Sequence, residues 1–117
     1  MKYTWLEHAS VRLEIGDQVL LIDPWEKGNP MFPQAQRDAM FAGATAILIT
    51  HGHFDHIAGL DDLARELQVP VYGMVELMGW LAATEAGIAT TGFNKGGTVR
   101  LGAVAVTMVP AVHSSSV

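Results

Sequence analysis

The sequence predicts an α/β (α+β) fold, a mixed sheet flanked by helices, from three patterns. In residues 10–15, Val11, Leu13 and Ile15 alternate with Arg12 and Glu14, as in a half-buried strand. The runs Val19-Leu20-Leu21-Ile22 and Ile47-Leu48-Ile49 are continuously apolar, which suits strands covered on both faces. Between 56 and 67, Ile57, Leu60, Leu63, Ala64 and Leu67 recur at three- and four-residue intervals, marking a helix with one buried face.

Taken in order, residues 3–7 form a first strand, and Gly16-Asp17 supplies the tight turn that joins strand 10–15 to strand 18–23. Pro24 ends that hairpin. Gly28, Asn29, Pro30 and Pro33 then favour a loop before a short helix at 34–41. A buried strand over 44–50 runs into a histidine-rich segment and the helix at 56–67. A short strand at 70–73 follows, then an amphipathic helix at 75–86 with Gly87 as its C-cap. A glycine-rich turn at 92–97 and a hairpin of 98–101 with 103–109 around Gly102 complete the chain. Strands dominate early, βαβα alternation follows, and no repeat or linker interrupts, so residues 1–117 read as one unit.

Composition narrows the function. Half of the 117 residues are apolar, enough for a modest core. Seven basic against twelve acidic residues give a net charge of −5 with no Lys/Arg cluster to track a phosphate backbone, so nucleic acid is not an expected partner. The absence of cysteine removes disulfides, thiolate ligands and thiol nucleophiles together, leaving nitrogen and oxygen to hold any metal. No signal-peptide h-region follows Met1, and no apolar run approaches the roughly 18–20 residues that span a bilayer. A cytoplasmic chain without a membrane partner is expected.

His51-Gly52-His53-Phe54-Asp55-His56 places three imidazoles and a carboxylate where a buried strand turns toward a helix. On an extended backbone His51 and His53 point the same way and can share one ion, while Asp55 and His56, past the bend, can face a second. Asp55 alone could be an N-cap, but capping accounts for one residue of the four. His113 stands apart, after the strand ending at Val109-Pro110. If the two strand ends are neighbours it completes a three-histidine site with an open position, the mark of catalytic rather than structural zinc. Trp25, Phe32 and Phe54 could wall a pocket, although aromatics beside buried strands more often belong to the core. Ser114 to Ser116 read as a solvated run.

The run His51 to His56 resembles the H-x-H-x-D-H signature of the metallo-β-lactamase superfamily, and Leu21-Ile22-Asp23-Pro24-Trp25 is similar to its earlier aspartate motif. Trp5-Leu6-Glu7-His8-Ala9, Asn94-Lys95-Gly96-Gly97-Thr98 and His113-Ser114-Ser115-Ser116 resemble the metal-dependent hydrolase subgroup related to the L-ascorbate 6-phosphate lactonases. One departure is Glu7, where that subgroup commonly has glycine.

The resemblance implies the amino-terminal half of a four-layer αβ/βα sandwich, with the carboxy-terminal half absent, as if truncated after His113. It implies that His51, His53 and His113 bind a first divalent ion and that Asp55 and His56 contribute to a second. Asp23 would support a ligating ring, and Asp55 and His8 are the candidates for catalytic contacts, with His8 lining the cleft. Zinc is the first choice of metal, then manganese, nickel or iron. The implied reaction is hydrolysis of a small-molecule ester, lactone, phosphoester or amide by metal-activated hydroxide, weak or absent in this chain alone. The rival is a non-catalytic metal-binding or assembly half-domain that needs a homo-oligomer or a complementary carboxy-terminal chain. Redox work with iron is a further alternative, disfavoured by Asp55 at the middle position.

Overall fold

The turn at Gly16-Asp17 seeds the sheet. In the computed structural model, which describes residues 1–84 and 87–110 except the Phe54 side chain, β1 (Lys2–Trp5), β2 (Val11–Ile15) and β3 (Gln18–Ile22) form an antiparallel meander. Val11 lies opposite Ile22, and Ile15 opposite Gln18. From β3 onward the pairing becomes parallel, through β4 (Ala46–Leu48), β5 (Val71–Met74) and β6 (Thr90–Phe93), in the spatial order β1-β2-β3-β4-β5-β6. The connections dictate the change: a tight turn can only reverse a strand, whereas a parallel neighbour needs a crossover. Those crossovers carry α1 (Arg37–Phe41), α2 (Phe54–Ile57) with α3 (Leu60–Leu67), and α4 (Val75–Thr84).

Strand alternation sorts the core into two layers. Leu21, Ile47 and Val71, all fully buried, face the helices and pack with Leu63, Leu77 and Met78. Leu20, Ala46 and Leu48 face the other way, onto Leu101 and Val104 of a separate hairpin, β7 (Thr98–Leu101) and β8 (Val104–Thr107). Each buried aliphatic side chain contributes roughly 1.5–3 kcal/mol. Beside the hairpin an apolar groove of about 490 Å³, lined by Ile22, Leu48, Tyr72, Met74, Phe93 and Val106 among others, opens next to His51.

Several boundaries differ from expectation. The helix expected at 56–67 is broken at Ala58-Gly59. Gly59 is left-handed (φ +74), and a Cβ there would sit 2.8 Å from Lys27 Cβ. His56 therefore lies on its own short helix. The segment 92–97 is not all turn: Thr90–Phe93 pairs with Val71–Met74 as β6. Gly92 is required there because a Cβ would come within 2.8 Å of Val75 Cα at the start of α4. The first strand ends at Trp5 because Glu7 and His8 turn into the left-handed region (φ +78 and +54). Helix 34–41 opens as a 3-10 turn at Gln34–Gln36, and the last strand ends at Thr107 rather than 109. The strand expected over 44–50 is laddered only at Ala46–Leu48, although Ile49 still donates to the Tyr72 carbonyl at 2.9 Å. Residues 85 and 86 of the expected helix 75–86 lie outside the described residues. No helix among the described residues is long and apolar enough to cross a membrane.

Candidate metal centre

Parallel pairing of β3 with β4 sets Ile22 opposite Leu48, so the residues that leave these two strands meet. Asp23 is the first of them, 3% exposed, with its amide donating to the Leu48 carbonyl at 2.9 Å. Its carboxylate accepts three hydrogen bonds. The Thr50 amide reaches Oδ1 at 2.8 Å, while the Thr50 hydroxyl and His56 Nδ1 reach Oδ2 at 2.6 and 2.7 Å.

This arrangement assigns two histidine tautomers. A carboxylate only accepts, so the single hydroxyl proton of Thr50 points at Asp23, and Thr50 Oγ1 must then accept from His51 Nδ1, 2.9 Å away. His56 Nδ1 likewise donates to Asp23. Both rings, when neutral, therefore present Nε2 with its lone pair outward. A carboxylate behind a ligating imidazole is the usual way to fix ring orientation and raise donor strength.

His51 Nε2 faces His53 Nδ1 at 3.1 Å. Two nitrogens on one tetrahedral zinc, each about 2.0–2.1 Å from it, lie about 3.3 Å apart. The residues present thus fit a divalent ion held by nitrogen and oxygen. The rings of His51 and His56 are 4.0 Å apart between centroids, which makes the cluster continuous.

A second group approaches from the β1–β2 connection. His8 Nε2 lies 2.6 Å from Asp55 Oδ2, and Asp55 Oδ1 lies 3.7 Å from His56 Nε2. The His8 hydrogen bond, assisted by the charge of His56, holds the Asp55 carboxyl below its ordinary range against the opposing effect of burial. Trp5 Nε1 donates to the His8 carbonyl at 2.7 Å, and the His8 ring meets Trp25 edge-on at 5.0 Å. Fully buried Ser10 ties this loop to the aspartate turn, donating to the Asp23 carbonyl at 2.7 Å and accepting from the Trp25 amide at 3.0 Å.

Six residues singled out in the sequence, His8, Asp23, His51, His53, Asp55 and His56, therefore converge. His113 and Ser114 to Ser116 lie outside the described residues. Phe32 is a buried core residue whose ring lies tilted against Phe41, whereas Trp25 packs against the His8 ring. Thr50 and Ser10 escaped sequence reasoning. A threonine immediately before a candidate ligand histidine is the available signal for the first; Ser10 carries none.

Comparison with known proteins identifies the family. The family model of the beta-lactamase superfamily domain matches residues 18–117. The chain is 64% identical over 116 residues to a UPF0173 metal-dependent hydrolase of Dinoroseobacter shibae, covering 99% of this chain and 50% of the relative. It is 56% identical to a protein of the same name from Paracoccus denitrificans, covering 99% and 50%. Among solved structures, Igni18, a metallo hydrolase from the archaeon Ignicoccus hospitalis, superposes with a TM-score of 0.79 at 27% identity, covering 97% of this chain and 49% of that one. The Rm3 metallo-beta-lactamase shares the fold with a TM-score of 0.60 at 24% identity, covering 82% and 42%. The chain spans about half the length of the curated relatives it matches. Its six-stranded mixed sheet with helices is the metallo-β-lactamase fold over that half, and the chain belongs to the beta-lactamase superfamily domain family.

Proposed function

We propose that the chain carries the metal-binding part of a metal-dependent hydrolase, with zinc as the ion and a small ester, lactone, phosphoester or amide as the class of substrate. The observation that supports this most is the pair His51 Nε2 and His53 Nδ1, 3.1 Å apart, with the far nitrogen of His51 backed through Thr50 by buried Asp23. The printed names of the relatives as metal-dependent hydrolases support it independently. His113 is the proposed third ligand of the first ion. The chemistry such an ion supplies when bound is the lowering of a water pKa to about 7 and the polarisation of the bond to be cut.

The chain's own residues supply the rest. Asp23 keeps the Nε2 lone pairs of His51 and His56 turned outward, so no ring has to reorient when the site fills. His8 and Asp55 stand at the exposed edge of the cluster, where a proton can pass between them. Trp25 shields one side of that pair.

We place the chain in the cytoplasm, a reading supported by its lack of cysteine. The second reading, a metal-binding half-domain completed by a carboxy-terminal chain or another copy, draws support from the 490 Å³ apolar groove beside His51. Zinc-dependent turnover of a lactone and phosphodiester panel by the 117-residue chain would decide for the hydrolase. Zinc binding without turnover, restored by adding the remainder of a relative, would decide for the half-domain.

A further inference from the structure

We infer that the groove beside His51 receives the apolar body of an anionic amphiphile, with Lys95 pairing its carboxylate. The class of substrate is then an ester, lactone or amide that carries both an aliphatic chain and a negative charge. The inference deepens the hydrolase reading proposed above and rests on it for the chemistry, but not for the binding.

The run Asn94-Lys95-Gly96-Gly97 stands out in the sequence and does not enter the candidate metal centre. It makes the turn from β6 to β7, and three backbone bonds lock it. The Gly97 amide donates to the Asn94 carbonyl at 2.8 Å, the Gly96 amide to the Met108 carbonyl at 2.7 Å, and the Met108 amide to the Gly97 carbonyl at 3.0 Å. Both glycines suit the turn: Gly96 is left-handed (φ +83), and a Cβ on Gly97 would sit 2.9 Å from the Asn94 oxygen. The turn is thus pinned to the chain just after β8, and Lys95 and Met108 line the same groove.

Charge selects the occupant. Among the described residues that line the groove, Lys95 is the only lysine or arginine, no aspartate or glutamate is present, and the Lys95 side chain makes no ion pair. An apolar protein layer laid over the groove would strand that ammonium away from water, whereas a carboxylate pairs it. The rest of the lining is chiefly apolar, with Leu48, Tyr72, Met74, Phe93 and Val106, and its 490 Å³ falls in the range of small-molecule sites. His51 lines the same groove, which sets an apolar body held there beside the proposed ion.

Binding is measured on the 117-residue chain in the presence of a chelator, so that no carboxylate can ligate zinc. Octanoate, butyrate and octan-1-ol are the probes, followed by titration calorimetry and by methyl NMR of Met74 and Val106. Octanoate should bind at least about tenfold more tightly than butyrate, which lacks four of its methylenes. It should bind about three- to fivefold more tightly than octan-1-ol, the scale of a partly exposed ion pair. Lys95→Gln should bring octanoate down to the level of octan-1-ol and leave octan-1-ol unchanged, while Lys95→Arg keeps the preference. Added salt should weaken octanoate alone. Octanoate that binds no better than octan-1-ol, or equally well to Lys95→Gln, overturns the inference, as do Met74 and Val106 methyls that stay unmoved. A chain that sediments as a dimer with those methyls covered overturns it in favour of a second copy. Zinc binding, assayed separately, without octanoate binding removes the inference and leaves the hydrolase reading standing. Octanoate binding to a chain that takes up no zinc keeps the amphiphile site and removes the hydrolase.

Discussion

Two arms bring side chains to the candidate metal centre, and they are held by opposite means. The Asp23 arm leaves β3 into the interior, is 3% exposed, and spends its carboxylate on three donors. The His8 arm is a surface turn in which two consecutive residues adopt left-handed angles and the histidine side chain is 45% exposed. In the first arm fold stability and the proposed metal affinity rest on the same bonds. In the second they are separable, because an exposed ring can be removed without stranding a buried partner.

The largest expected effect follows from breaking the buried arm. Asp23→Ala leaves the Thr50 amide and the His56 ring without their acceptor, and should cost about 3 kcal/mol in chemical denaturation. Zinc affinity of the fraction still folded should fall about 10–100-fold, because neither His51 nor His56 is then fixed in its tautomer. Leu21→Ala, two residues earlier on the same strand and fully buried, is the control. It should cost a similar 2–5 kcal/mol, roughly, by opening a cavity, yet leave zinc affinity of the folded chain unaltered. Equal losses of affinity in both variants would mean that the tautomer argument is wrong and that only global stability matters.

A narrower cut isolates the relay. Thr50→Val keeps the shape of the side chain and the backbone bond to Asp23 Oδ1, but removes the hydroxyl between Asp23 and His51. A cost of about 1 kcal/mol is expected, with zinc affinity at the His51–His53 pair lowered about tenfold. Unchanged affinity on calorimetry would show that His51 needs no support.

The two arms also differ in how far the sequence announces them. Val19 to Ile22 followed by Asp23-Pro24 reads as a buried strand ending in a turn, and Ile47 to Ile49 as another, so the two strand ends that carry Asp23 and the 51–56 run are legible from apolar pattern, while the place of Asp23 beside a histidine of that run is implied only by the resemblance. The His8 arm is not legible in this way. Nothing in Leu6-Glu7-His8-Ala9 reveals a left-handed pair, because backbone angles there follow from Ser10 being pinned beneath Asp23 and Trp25, a tertiary constraint. Tertiary contacts likewise break the helix at Gly59 against Lys27 and place Gly92 in a strand under Val75. In each case local propensity yields to the close approach of another element.

Strain in the exposed arm gives the next prediction. Glu7 sits at φ +78, where a Cβ is unfavourable and glycine is not, and glycine is the residue that the resembling subgroup commonly has there. Glu7→Gly should raise unfolding stability by about 0.5–1 kcal/mol, the relief of left-handed strain being partly offset by the freer unfolded chain. Glu7→Ala should not, since it keeps the Cβ. If both variants are equally stable, the turn is not strained.

The smallest effect concerns a surface clamp that continues the buried arm. The loop after Asp23-Pro24 is tied to α1 and α3 by Arg37, which bonds Glu26 and makes two parallel 2.8 Å bonds to Glu66. Arg37 holds the Glu66 carboxyl below its ordinary range, and its own guanidinium is pushed further from losing its proton. A depressed carboxyl stabilises the fold fully above its unfolded value of about 4.3, and the contribution fades as pH falls through the lower folded-state value. Glu66 is half exposed, so solvent screening reduces the pair to a few tenths of a kcal/mol, roughly. Glu66→Gln should therefore be slightly less stable than the unaltered chain at pH 7, and the difference should vanish in strong acid. A difference that persists unchanged below pH of about 3 would assign it to lost packing along α3 rather than to charge.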